Sequence, residues 1–286
     1  MTILLGTADG LRELGGGTRL AGHEVHALSR PWALADHQVL FRDDEKFASV
    51  DRGVAHCILP IGDDLLVGTS EAHLLRLTDG ALVPVDAFDA VEGRDEWYTP
   101  WGAPADVRSL TRTDAGTLLA NVHVGGVVRS TDRGATWTPT IDIDADVHQV
   151  LAADGSLVVA AAAVGLCVSD DDGATWRIVD EGLHATYCRA VAVAGDTVVV
   201  SASTGPGGQR SALYRRPLSG DAPFERCVDG LPEWFGGNVD SFCVGASGST
   251  VVCGAPGGVV YVSEDGGASW STAESGLPAI RVVAVS

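Results

Sequence analysis

The chain has 286 residues, 45% of them hydrophobic, with 36 glycines, 12 prolines and a formal charge of −19. Such acidity, with Lys46 the only lysine, argues against a nucleic-acid or anionic-membrane partner, because either needs a basic face. It also matches adaptation to high salt, where self-repulsion between like charges is screened.

The first residues, MTILLGTADGLREL, carry no basic n-region, long apolar core or small-residue cleavage site, so a cytoplasmic location is expected. No uninterrupted apolar run is long enough for a membrane-spanning helix. The six cysteines sit mostly in apolar, strand-like runs without C-x-x-C spacing, which predicts buried, reduced thiols.

From the N-terminus onward, short strands follow one another at a repeat of roughly 40–45 residues. Each unit opens on a similar tetrapeptide: VHAL at 25–28, AHCI at 55–58, VRSL at 107–110, VHQV at 147–150, CRAV at 188–191, VDSF at 239–242 and IRVV at 280–283. Most are followed by a second apolar strand such as LLVGTS at 65–70, TLLANV at 117–122 or TVVCGA at 250–255. Four short strands per unit predict an all-β, seven-bladed β-propeller of four-stranded antiparallel blades, with six blades as the alternative. The last start has no second strand after it, whereas TILLGTADG at the N-terminus reads as a second strand. The C-terminal strand should therefore pair with the N-terminal segment in one blade, removing exposed edges. Residues 1–286 read as one domain with no linker, and no helix is required. Three insertions, 89–106, 204–211 and 231–239, interrupt the rhythm and mark loops where function tends to sit.

Three segments share a sharper pattern: VVRSTDRGATW at 127–137, LCVSDDDGATW at 166–176 and VYVSEDGGASW at 260–270. In each, the aspartate (Asp132, Asp171, Asp265) can accept from backbone N–H groups of the turn it opens. The glycine (Gly134, Gly173, Gly267) takes a positive φ, and the tryptophan offers a large aromatic face for burial. These residues resemble the Asp-box (BNR) repeat of sialidase-like β-propellers. The resemblance implies architecture more than activity, because the motif is a structural turn. Sialidase chemistry is disfavoured: there is no R-I-P segment, and Tyr187 has no clearly placed glutamate partner. Similar repeats occur in tandem-propeller xyloglucan enzymes and in photosystem-assembly binding scaffolds.

The second position of each blade start gives His26, His56, Arg108, His148, Arg189, Asp240 and Arg281, one ionisable group per blade. If the blades aim them at a shared centre, they line the mouth of a central channel, with His123, Ser70 and Asp44 beside them. Imidazoles from His26, His56, His148 and His123 are candidate ligands for Zn, Cu, Ni or Fe. His148, His56 and Asp240 are the candidate acid–base groups. Arg108, Arg189 and Arg281 suit a small anionic molecule, because guanidinium offers a planar fork to paired oxygens. Trp97, Trp101, Trp234 and Tyr187 would wall that molecule. Three readings stay open: a metal-assisted enzyme or anion binder, a water-filled channel with internal salt bridges, and a non-catalytic scaffold whose loop face holds a protein partner.

Overall fold

Alternating apolar strands separated by Gly- and Asp-rich turns assemble into seven four-stranded antiparallel sheets in a computed structural model that describes residues 1–286. The fold is all-β, a seven-bladed β-propeller. The chain divides into two compact units, 29–160 with 167–178, and 1–28 with 161–166 and 179–286.

In the first of these units, blade 2 runs through Ala55–Ile61, Asp64–Thr69, Leu74–Thr78 and Ala81–Pro84. Blade 3 runs through Asp106–Arg112, Leu118–His123, Gly126–Ser130 and Thr138–Pro139. Their second strands are buried at nearly every position, as sheets covered on both faces must be. Close approach between sheets is set by small residues. A Cβ at Gly68 would fall 2.5 Å from Val107 Cγ1 of the neighbouring blade. The core here gathers Leu66, Leu74, Phe88, Val107, Leu118 and Trp137. One element was not expected: a four-residue helix, Asp86–Asp89, at the start of the first insertion. It forms because Phe88 is fully buried and meets the Trp137 ring edge-on at 5.2 Å.

In the other unit, the two ends of the chain share a sheet. Ile280–Val285 pairs with Ile3–Thr7, which pairs with Gly10–Glu13 and then Thr18–Arg19. The register runs Ile3↔Val285 to Gly6↔Val282, with Thr2 N–H donating to Ser286 O at 2.6 Å. Blade 6 departs from the sequence reading. Its first strand is Val244–Ser247, not 239–242, because Phe242 takes a φ of 66° and Cys243 N–H closes a turn onto Asp240 O.

The three repeated turns are built alike. In the first, Asp132 Oδ1 accepts from Thr136 N–H at 2.9 Å and from the Ser130 hydroxyl at 2.8 Å, while Oδ2 accepts from the Thr136 hydroxyl at 2.6 Å. Asp171 and Asp265 repeat this with Ser169 and Thr175, and with Ser263 and Ser269. These bonds, those from the Thr136 side chain and the Thr175 backbone foremost, hold Asp132 and Asp171 at a pKa of about 2. Those from Ser269 hold Asp265 lower still. An unfolded aspartate titrates near 3.9, so the stabilisation is complete above about pH 4 and is lost as pH falls through the folded values. The stability advantage of the parent over Asp171→Asn, measured by urea unfolding, should therefore be constant from neutral pH to about pH 5 and narrow below about pH 4. A gap that stays constant down to pH 2 would contradict the hydrogen-bond account.

Candidate functional site

Four of the ionisable blade-start residues occupy a particular backbone position that their sequence does not announce. In blade 2 the pairing steps from Ala55↔Thr69 to Cys57↔Gly68 and skips His56. In blade 3 it steps from Val107↔Val122 to Ser109↔Asn121 and skips Arg108. Arg189 and Arg281 fall at the same kind of register shift in their own sheets. Each is at a β-bulge, an irregularity that bends the strand and re-aims a side chain.

Each bulge residue meets a carboxylate. In the unit 29–160 with 167–178, Asp106 Oδ2 lies 3.7 Å from His56 Nε2 and 3.4 Å from Arg108 Nη2. Burial alone would raise the Asp106 pKa, yet the nearby His56 imidazole, with the charges of Arg108 and His123, outweighs it and holds the group below the ordinary value. In the other unit, Arg189 Nε is 2.9 Å from Asp240 and Arg281 Nε is 2.6 Å from Glu24, which also lies 3.9 Å from His26 Nε2. Asp240 sits in the turn before its strand with its side chain 55% exposed. The three arginines expected to clamp an anion are thus all engaged with carboxylates of the protein.

Where blade 3 meets the strand Val147–Ala152, two histidines share one acid. His123 ends the second strand of blade 3, and His148 is the second residue of Val147–Ala152. Between them in sequence, IDIDAD folds as a short 3-10 turn, Ile143–Ala145, started by Asp142 Oδ1 accepting from Asp144 N–H at 2.9 Å. Asp146 follows in the left-handed region at φ 47°, which lifts its carboxylate toward both rings. Asp146 Oδ1 is 3.2 Å from His123 Nε2, and Oδ2 is 3.6 Å from His148 Nε2. The three ligand atoms lie within 4.8 Å of one another. Both histidines are buried and Asp146 is half-buried. Trp101, 62% exposed, covers His123 with ring centroids 5.3 Å apart.

Ligands held at about 2.0–2.1 Å around a tetrahedral ion sit roughly 3.3 Å from each other, so these separations are close to those of a bound metal. A His–Asp–His group can therefore hold a metal ion. Of the four histidines expected as ligands, this group contains His123 and His148. His56 is paired to Asp106, and His26 lies in the other unit beside Glu24. Asp146 was missed by reading the sequence, where one more aspartate in an acidic turn carries no signal.

The expected aromatic walls separate too. Trp97 packs on Phe88 and under Arg94 as part of the core. Trp234 belongs to a different cluster, against His184 and Arg226. Tyr187 opens the strand Tyr187–Ala194, opposite Ser203 of Thr197–Ser203.

No family model matches the chain, and no curated protein matches it. Solved structures do. An ancestral GH74 enzyme superposes with a TM-score of 0.65 at 13% identity over 92% of this chain and 38% of its own. Virginiamycin B lyase from Staphylococcus aureus gives 0.59 at 12% identity, over 83% of this chain and 80% of its own. YCF48 bound to D1 peptide gives 0.51 at 15% identity, over 86% and 73%. What they share with this chain is the fold. The chain spans well under half the length of the GH74 enzyme, and the same propeller architecture serves enzymes and binding proteins alike.

Proposed function

We propose that this protein is an Asp-box propeller whose His123–Asp146–His148 group binds a divalent transition metal and acts on, or holds, a small anionic molecule. The observation that carries the proposal is the convergence of two imidazoles and one carboxylate on a single point. Two nitrogens and one oxygen are a donor set suited to Zn, or to Fe with open positions for a ligand. The open positions would polarise a carboxylate or carbonyl oxygen, or lower the pKa of a bound water. Asp106 with His56 and Arg108, next along the same unit, is a second acid–base pair within electrostatic reach of His123. The Asp-box assignment is supported by three turns with one shared hydrogen-bond pattern.

The test is an elemental scan of untagged protein, before and after chelation and reloading with Zn(II), Fe(II), Ni(II) or Cu(II). One equivalent of one metal, resistant to extensive dialysis, is the expected result. Metal at trace level under every loading condition would remove the proposal. A second reading, a peptide-binding scaffold, is favoured by the exposed Trp101 and Tyr98 on one loop and is the reading left standing by a metal-free result.

A further inference from the structure

Beside the His123–Asp146–His148 group lies a buried amide that no hydrogen bond uses. Side chains of Leu118–His123 alternate between the two faces of the sheet. Leu118, Ala120 and Val122 join the core around Phe88. Asn121 and His123 point the other way, toward the strand Val147–Ala152. Two contacts fix this direction. Ser109, paired directly with Asn121 and so on the same face, accepts from Val150 N–H through its hydroxyl at 2.9 Å. His123, two residues on, meets His148 with ring centroids 5.7 Å apart. Asn121 is fully buried, and neither its Oδ1 nor its Nδ2 has a hydrogen-bond partner. Nδ1 of His123 is buried and unpartnered as well.

The chemistry of imidazole connects these atoms. A neutral ring carries one proton, so one nitrogen donates and the other accepts. Nε2 of His123 faces Asp146 Oδ1 at 3.2 Å. A carboxylate only accepts, so in the apo form the proton belongs on Nε2. When Nε2 instead binds a metal it gives up that proton, and the neutral ring carries its one proton on Nδ1. The balance is one proton lost at Nε2 and one gained at Nδ1. The new N–H is buried, and Trp101, whose ring covers His123, offers only a donor. A buried donor without an acceptor is costly. Metal-bound histidines ordinarily send this N–H to a carbonyl, a carboxylate or water. Asn121 Oδ1 is a carbonyl on the same face of the same strand. Its Cα lies about 7 Å from that of His123, two strand residues away. A carboxamide and an imidazole turned toward each other bridge such a span at hydrogen-bond length. The bond needs side-chain rotation and no room for a third group.

We propose that Asn121 is the positioning residue of this centre, its Oδ1 accepting from His123 Nδ1–H when Nε2 is committed to the metal. The inference rests on the metal reading above. It adds the group that favours the metal-binding tautomer and fixes the plane of the ring. It also explains an amide at a site where leucine would pack: metal binding supplies the donor that the amide otherwise lacks.

The test compares the full chain with Asn121→Leu, which stays close in size and removes both polar atoms. Zn(II) affinity, measured against a competing chelator, should fall by about 10–100-fold. Apo stability in urea should not fall, because an apolar side chain replaces an unmet buried amide. A purely structural role predicts the reverse, lower stability with unchanged affinity. NMR supplies a direct signature. The Zn-loaded parent should show a low-field, slowly exchanging His123 Nδ1 proton, and Asn121→Leu should move it upfield. Should Asn121→Leu fail to fold, or lose stability and affinity together, that proton in the Zn-loaded parent decides alone. A parent that takes up no metal removes the metal reading and this inference with it. A parent that binds Zn(II) no better than Asn121→Leu, or whose His123 Nδ1 carries no hydrogen-bonded proton, overturns the role of Asn121 alone.

Discussion

A chain carrying Asp146→Asn is expected to fold as the parent does and to retain no stoichiometric transition metal. The backbone argument explains why asparagine is the right replacement. Residue 146 sits in the left-handed region, at φ 47°, where asparagine is among the few side chains tolerated. The preceding turn is capped by Asp142, and the Asp146 backbone N–H donates to Ile143 O at 3.1 Å, so neither interaction needs the carboxylate. What the substitution removes is the anion that faces both imidazoles. Loss of even an outer partner of a metal ligand costs about 10–100-fold in affinity, so removal of the only carboxylate among three ligands should cost at least about 100-fold. His148→Ala should do the same for a different reason, taking away a nitrogen donor and leaving a small void. Equilibrium metal titration with a competing chelator measures both, with urea unfolding of the apo forms as the check on folding. Asp146→Asn that still binds one equivalent at parental affinity would show that the metal sits elsewhere.

The largest loss of stability should come from Trp137→Ala, at about 3–5 kcal/mol, read from the urea midpoint. Trp137 is 7% exposed, meets Phe88 edge-on and sends its indole N–H to Gly134 O at 3.1 Å. It therefore ties the repeated turn to the core and anchors the short helix at the start of the first insertion at the same point. Truncation leaves a large cavity beside Phe88, in a core shared with Leu74 and Leu118, whose strands are fixed by their own sheets and cannot collapse into it. Trp176 occupies the same place in the next turn but is only half-buried, and its indole N–H goes to the Thr140 hydroxyl at 3.1 Å. Trp176→Ala should cost clearly less. Equal costs for the two would mean that the turn, and not burial against Phe88, determines the value of the tryptophan.

The repeat was readable because it is a local matter. Period-2 apolar runs, glycines at turns and the Asp–Gly–Trp pattern each act over a few residues, and local backbone preference together with burial selects strands and tight turns from them. The shared sheet of the two chain ends followed from counting strands, since a lone inner strand needs a partner for its unpaired backbone groups. Blade 6 escaped because VDSF has a strand-like apolar alternation, while the positive φ at Phe242 answers to packing that no local pattern records. The bulges at His56, Arg108, Arg189 and Arg281 escaped for a similar reason. A bulge is a mismatch between two strands, and one strand read alone cannot show it.

From its order of residues alone, this protein was determined to be a propeller with ionisable groups at its blade starts. Which of those groups meet was decided only in three dimensions. The distance between His123 and His148 depends on two sheets packing side by side, and the acid that joins them depends on one left-handed residue in a short turn. Local chemistry chooses secondary structure, but a binding site is a coincidence of side chains from separate elements, and only packing produces it.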